Sequence, residues 1–319
     1  MTGFDSIPSP SEISETALPD AVTELLDTYD EQIGQRPAYL WRWLYAVFPR
    51  YRLSSVPDRH GETVREQKLL LTIYYTLLDD LADLYEDRAT FMEARKLSMI
   101  GTEPTYGRPE IDSTYLDFTA TVWEHVDERV RAAPRYAEFR SAFAFDRQQV
   151  INAMHHGMLV NEMPALATER GAEHYGQHNM AQFSYADLDL MYSPAFDIDD
   201  LRPLRDVIWR CQRLARISNW AATWERELVE GDLTSGVLVR GLSEGILSYE
   251  EVTDPDVPDE ELADRLRDHG IETALLEEWQ RLYDQLTDRD VVIESVDIDA
   301  YVTGMQEMRE IYLDNRGRI

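Results

Sequence analysis

The stretch from Gly61 to Ala89 constrains the fold of this chain more than any other. It starts charged, becomes almost wholly apolar from Leu69 to Leu78, and ends in a cluster of acids. Read at helical period, its middle offers no polar face to water, so it has to be the central helix of a larger helical assembly. Its apolar part is about half the ~20 residues that a membrane-spanning helix needs. The N-terminus, Met1 to Asp20, is polar and lacks both a basic region and an apolar run of signal-peptide length. A soluble, cytoplasmic protein without stable membrane insertion is expected.

The remaining long segments also read at helical period, and runs of alternating β-branched residues are scarce. Helices are expected over Pro37 to Tyr51, Ser113 to Arg131, Tyr136 to Arg170, Leu201 to Glu230, Asp259 to Thr287 and Ile298 to Leu313. Pro164 lies inside the third of these patterns and predicts a kink or break there, because proline removes a donor and clashes with the preceding turn. Pro8, Pro10 and Pro19 punctuate a leader, residues 1–30, expected to be mobile. No internal repeat or composition shift marks a boundary after it. The economical reading is one all-α domain over 31–319.

Charge excludes several function classes. The 319 residues carry 61 acidic against 31 basic side chains, a formal charge of −30. The resulting field repels phosphate backbones and anionic lipid, which argues against nucleic-acid partners and a polybasic membrane anchor. Only Lys68 and Lys96 are lysine, the other cations being arginine. Excess carboxylate with almost no lysine resembles proteins of salt-loving organisms; near 1 M salt the screening length falls to about 3 Å and like-charge repulsion is mostly lost. A single cysteine, Cys211, allows no intramolecular disulfide and reads as a small buried apolar residue.

Two motifs carry the chemistry. The first is Asp79-Asp80-Leu81-Ala82-Asp83, at the end of the apolar helix. On a helix Asp79 and Asp83 point the same way, with Asp80 about 100° round. Like charges at that spacing are destabilising without a cation, and a hard divalent ion with oxygen ligands is the natural partner. Acids at a helix C-terminus also oppose the macrodipole, so the cluster is costly as mere decoration. The second motif is Asn219-Trp220-Ala221-Ala222-Thr223-Trp224-Glu225-Arg226-Glu227. Asn219, Thr223 and Glu227 form one oxygen-bearing ridge set in apolar surface, where polar groups need partners. Arg226 adds a donor fork suited to phosphate oxygens.

Together the motifs resemble those of class I terpene synthases, whose DDxxD and Asn-x-x-x-Ser/Thr-x-x-x-Glu motifs face each other across a helical bundle in this order and at a similar separation. Gly231-Asp232 after the second motif also resembles the family. The resemblance implies a single-domain antiparallel helical bundle of the class I terpenoid synthase type. It implies three Mg²⁺ ions, with Mn²⁺ as the alternative, held by Asp79, Asp80, Asp83, Asn219, Thr223 and Glu227. It further implies a prenyl diphosphate substrate, farnesyl or geranylgeranyl, gripped by Arg170, Arg226 and Arg316, and a monomer or homodimer. Arg170, 49 residues before Asn219, stands where the family has a diphosphate-sensing arginine. Arg316 stands near the family's closing Arg-Tyr, but Gly317 follows it, a departure that puts the last clamp in doubt.

Ionisation of such a substrate leaves a carbocation that aromatic faces stabilise. Tyr75, Phe183 and Trp220 are the candidates for a cavity wall, with Tyr185 and Phe196 behind them. His155, His156, His174 and His178 show no zinc-like spacing. The alternatives are a prenyltransferase or a squalene or phytoene-type synthase of the same fold, disfavoured by the lack of a second Asp-rich motif, and a non-catalytic helical binding module.

Overall fold

The computed structural model describes residues 8–318, and among these every regular element is helical. Two short N-terminal helices, α1 (Pro10–Ser14) and α2 (Asp20–Gln32), lead to α3 (Ala38–Val47) and the long α4 (Gly61–Asp79). Next come α5 (Arg88–Ala94), α6 (Ser113–Arg131), α7 (Tyr136–Glu162), α8 (Glu169–His174) and α9 (Gln182–Met191). The second half holds α10 (Leu201–Val229), α11 (Gly236–Ser243), α12 (Tyr249–Thr253), α13 (Asp259–Asp268), α14 (Ile271–Thr287) and α15 (Ile298–Asp314).

The apolar run makes α4 the central helix, as its composition demands. Leu69 through Tyr75 are buried without a gap, followed by Leu77 and Leu78. α3, α6, α7 and α9 pack around it, while α9, α11, α14 and α15 pack on α10. α9 therefore touches both long helices and holds them apart, which opens a cavity between them. One main apolar core runs through the arrangement, with a small separate cluster of Val160, Ala167, Leu233 and Val239 beside it.

Four departures from continuous helix have local causes, the break at Pro164 being the expected one. From Pro10 onward the expected leader is helical, and α1 and α2 bury Ile13, Val22, Leu25, Leu26 and Tyr29; Pro10 opens the first helix and Pro19 precedes the second, positions where a missing N–H costs nothing. Residues 1–7 of that leader lie outside the described residues. α7 stops at Glu162, Pro164 opens a single 3₁₀ turn, and Thr168 caps α8 through Gly171 N–H at 3.1 Å. Gly270, at φ 66°, separates α13 from α14 where one helix was expected.

The fourth departure matters most for the site. α4 ends as an α-helix at Asp79, and Asp80–Leu84 form one π turn, in which Tyr85 N–H bonds Asp80 C=O five residues back at 2.8 Å. Such turns are rare and recur at functional sites. Asp87 then caps α5, accepting from Thr90 N–H at 3.0 Å.

Candidate functional site

The cavity between α4 and α10 has a volume of about 210 Å³. Residues one helical turn apart on α4, Thr72, Tyr75, Thr76, Asp79 and Asp83, line one wall; Ala215, Arg216, Asn219, Thr223, Arg226 and Glu227 of α10 line the opposite one. Leu40, Trp43, Leu44 and Val47 of α3, with Met308 and Tyr312 of α15, supply apolar and aromatic surface. Both motifs thus meet at one cavity although they are remote in sequence.

Electrostatics set this place apart. Asp79, Asp83, Glu227 and Asp232 all line the cavity. Burial pushes the Asp79 carboxyl up, and it pushes Asp83 well above the ordinary carboxylate range, with the charges of Asp79 and Asp232 adding to the effect. Glu227 is raised to about 7, first by burial and then by Asp232. Arg216 is the compensating charge shared by Asp79, Asp83 and Glu227. Asp79 Oδ1 accepts from Asn179 Nδ2 at 3.0 Å, Asn219 Oδ1 from Arg216 Nη1 at 2.8 Å, and Glu227 Oε1 from Thr223 Oγ1 at 2.7 Å. Asp83 Oδ1 and Glu227 Oε2 are buried without a hydrogen-bond partner.

Orphaned, buried carboxylate oxygens on opposite walls ask for positive charge. Among the described residues no group of three His, Cys, Asp or Glu side chains is arranged to hold a metal ion by itself. The donor set that fits a hard divalent cation is a mixed oxygen one: Asp79 and Asp83 on one wall, Asn219, Thr223 and Glu227 on the other. The histidines do not join it. His155 sits against Arg95, His156 against the Tyr175 ring, His178 against Gln212 and Trp209, and His174 in a separate surface depression.

Several expected site residues lie elsewhere. Asp80 does not face the cavity: it is completely buried, and its Oδ1 accepts from Arg36 Nε at 2.8 Å and Nη2 at 2.6 Å. Arg170 is exposed on α8, beyond the Pro164 break, in a surface depression with His156, His174 and Tyr175. Arg316 is exposed past the end of α15 and pairs with Glu272. Trp220 is one residue round α10 from Asn219, so it faces Gly236 and the guanidinium groups of Arg213 and Arg216 instead. Phe183 packs on Trp209 and beneath Arg205, and Phe196 on Phe139. Tyr75 and Tyr185 do line the cavity, and Arg226 reaches its edge while pairing with Glu230 at 2.7 Å.

Sequence reasoning missed Arg36, Asn179 and Arg216. Arg216 had a signal, since it stands three residues before Asn219 on the same helix face. Arg36 and Asn179 come from a turn and a 3₁₀ segment remote from either motif, and nothing in their own surroundings marks them.

No protein-family model matches the chain, and no curated protein shows significant similarity to it. The class defined by the structure is that of an all-α protein with a carboxylate-rich, part-aromatic cavity between its central helix α4 and its longest described helix α10, and no described helix is long and apolar enough to cross a membrane.

Proposed function

We propose that this protein is a Mg²⁺-dependent class I terpene synthase, its bundle being the antiparallel one of that family. It would bind a linear prenyl diphosphate, farnesyl or geranylgeranyl, with the head group at the acidic mouth and the hydrocarbon on the aromatic floor. One observation carries the reading: Asp79 and Asp83 meet Asn219, Thr223 and Glu227 around a single cavity that also presents arginines and apolar and aromatic side chains. Mg²⁺ held by those five residues would supply Lewis-acid stabilisation of the departing diphosphate.

The chain's own groups account for the rest. Arg216 and Arg226 line the cavity and offer charge-assisted donors to diphosphate oxygens. Heterolysis of the allylic C–O bond sends its electron pair to the diphosphate and leaves a cation in the cavity. Trp43, Tyr51, Tyr75, Tyr185 and Tyr312 present ring surface there, a setting that favours a cation by roughly 0.5–2 kcal/mol per well-placed ring. Leu40, Leu44, Val47, Met154, Met180 and Met308 exclude water. The Tyr185 and Thr72 hydroxyls satisfy each other at 2.7 Å, and Tyr75 and Ser184 at 3.0 Å, so these hydroxyls are not free as ready nucleophiles.

The position of Arg170 and Arg316 away from the cavity favours a second reading, a helical binding module without turnover. Mg²⁺-dependent release of diphosphate from farnesyl and geranylgeranyl diphosphates in high KCl separates the two. Synthase activity requires release that Asp79→Ala and Glu227→Ala each largely abolish. Binding of substrate without release supports the module, and release untouched by both substitutions refutes the metal assignment.

A further inference from the structure

We propose that the turn between α2 and α3 is a latch on the acidic end of α4, and that Arg36 within it is a positioning residue for Asp79 and Asp83. The inference rests on the metal-dependent reading of the cavity. It starts from the π turn, a backbone form that persists only when its surroundings hold it. On one side the support is Tyr115 of α6, whose hydroxyl donates to Leu77 C=O at 2.8 Å and whose ring meets Tyr85 edge-on at 5.6 Å. On the other side it is the turn: Arg36 grips Asp80, and the Gln35 side chain hydrogen-bonds Tyr85.

The latch is itself anchored. Arg36 N–H donates to the Tyr29 hydroxyl at 2.8 Å, and the Tyr29 ring is wedged between Trp41 and Phe118 with centroids 5.5 and 6.1 Å away. The guanidinium therefore reaches Asp80 from a fixed base while lining the cavity mouth. Among the described residues Asp80 has no other charge partner in ion-pair range, and its buried Oδ2 has no hydrogen-bond partner. Without Arg36 a bare carboxylate would remain inside the protein, which strongly destabilises the fold. The turn would have to rotate to hydrate it, and Asp79 and Asp83, one residue before and three after, would move with it. Arg36 thus sets the aim of two carboxylates that it does not hydrogen-bond.

The test is Mn²⁺ binding, followed by electron paramagnetic resonance with inorganic diphosphate in 2 M KCl, alongside thermal melting without metal. Arg36→Met should weaken Mn²⁺ binding about tenfold or more, the usual effect of removing a group that orients a ligand. Arg36→Lys should recover part of the affinity, because an ammonium can pair with Asp80 but lacks the fork. The double variant Arg36→Met/Asp80→Asn removes the buried charge together with its partner, so melting should recover while Mn²⁺ affinity stays low. A folded Arg36→Met with wild-type affinity, or a double variant that regains affinity along with stability, overturns the latch. Wild-type protein that binds neither Mn²⁺ nor diphosphate refutes the metal-dependent reading itself, and the latch falls with it.

Discussion

Substituting Asp187 by asparagine should remove a pH dependence that the wild-type protein carries in its core. Asp187 on α9 and Asp146 on α7 are both buried and share one cation, Arg205 of α10. Arg205 binds Asp146 through two bonds of 2.7 and 2.9 Å but approaches Asp187 Oδ1 only to 3.8 Å. Among the described residues no donor group reaches Asp187 Oδ2, and a proton on Asp187 is held by a side-chain hydrogen bond with Asp146. One guanidinium cannot balance two buried carboxylates, so one proton stays. Burial, then the Asp146 charge, push Asp187 well above the ordinary range, making it the group that keeps the proton. His178 also senses Asp146, with burial pushing its pKa below the ordinary imidazole value.

The sign follows from proton counting. The unfolded chain releases the Asp187 proton near pH 3.9, whereas the native protein retains it to a higher pH. In that window the native state binds one proton more, so stability falls as pH rises, by up to about 1.4 kcal/mol per pH unit, and levels off above the native pKa. Asparagine keeps the shape and supplies an N–H for Asp146 without titrating. Urea unfolding in 3 M KCl at several pH values from 5 to 8 should therefore show the wild type losing stability relative to Asp187→Asn as pH rises. Parallel curves for the two proteins would refute the shared proton.

Three further outcomes are expected. Lys68 Nζ meets Asp189 Oδ2 at 2.9 Å with both groups buried, so Lys68→Met should cost about 3–5 kcal/mol by urea unfolding, and Lys68→Met/Asp189→Leu should regain most of it. Gly236 lies against the Trp220 ring, where an added methyl would overlap it; Gly236→Ala should lower stability by about 1–3 kcal/mol, and an unchanged melting midpoint would contradict that packing. A formal charge of −30 should make the melting midpoint climb between 0.1 and 3 M KCl, and a flat response would remove the case for a salt-adapted surface.

The all-helical class and the central helix were legible because an unbroken apolar run at helical period has one sensible placement. The ends of elements were less so. The Gly270 break and the π turn each depend on a backbone choice at a few residues, which side-chain period does not encode. In the site, residues at four-residue spacing on one helix were readable: Asp79 with Asp83, and Asn219 with Thr223 and Glu227, do share the cavity. Spacing alone misled where tertiary packing decides. Asp80, adjacent to Asp79, is turned into the protein by Arg36; Trp220, adjacent to Asn219, is turned toward Gly236; Arg170 follows a proline break that leaves it on the surface. Arg36 itself could not be read, since only the folded chain brings the α2–α3 turn to the acidic end of α4.

The most direct measurement is anomalous scattering from crystals grown in high salt and soaked with Mn²⁺ and inorganic diphosphate. The account predicts Mn²⁺ peaks between Asp79 and Asp83 on one wall and Asn219, Thr223 and Glu227 on the other, with diphosphate oxygens facing Arg216 and Arg226. Peaks confined to surface carboxylates, with the cavity free of metal, would contradict it.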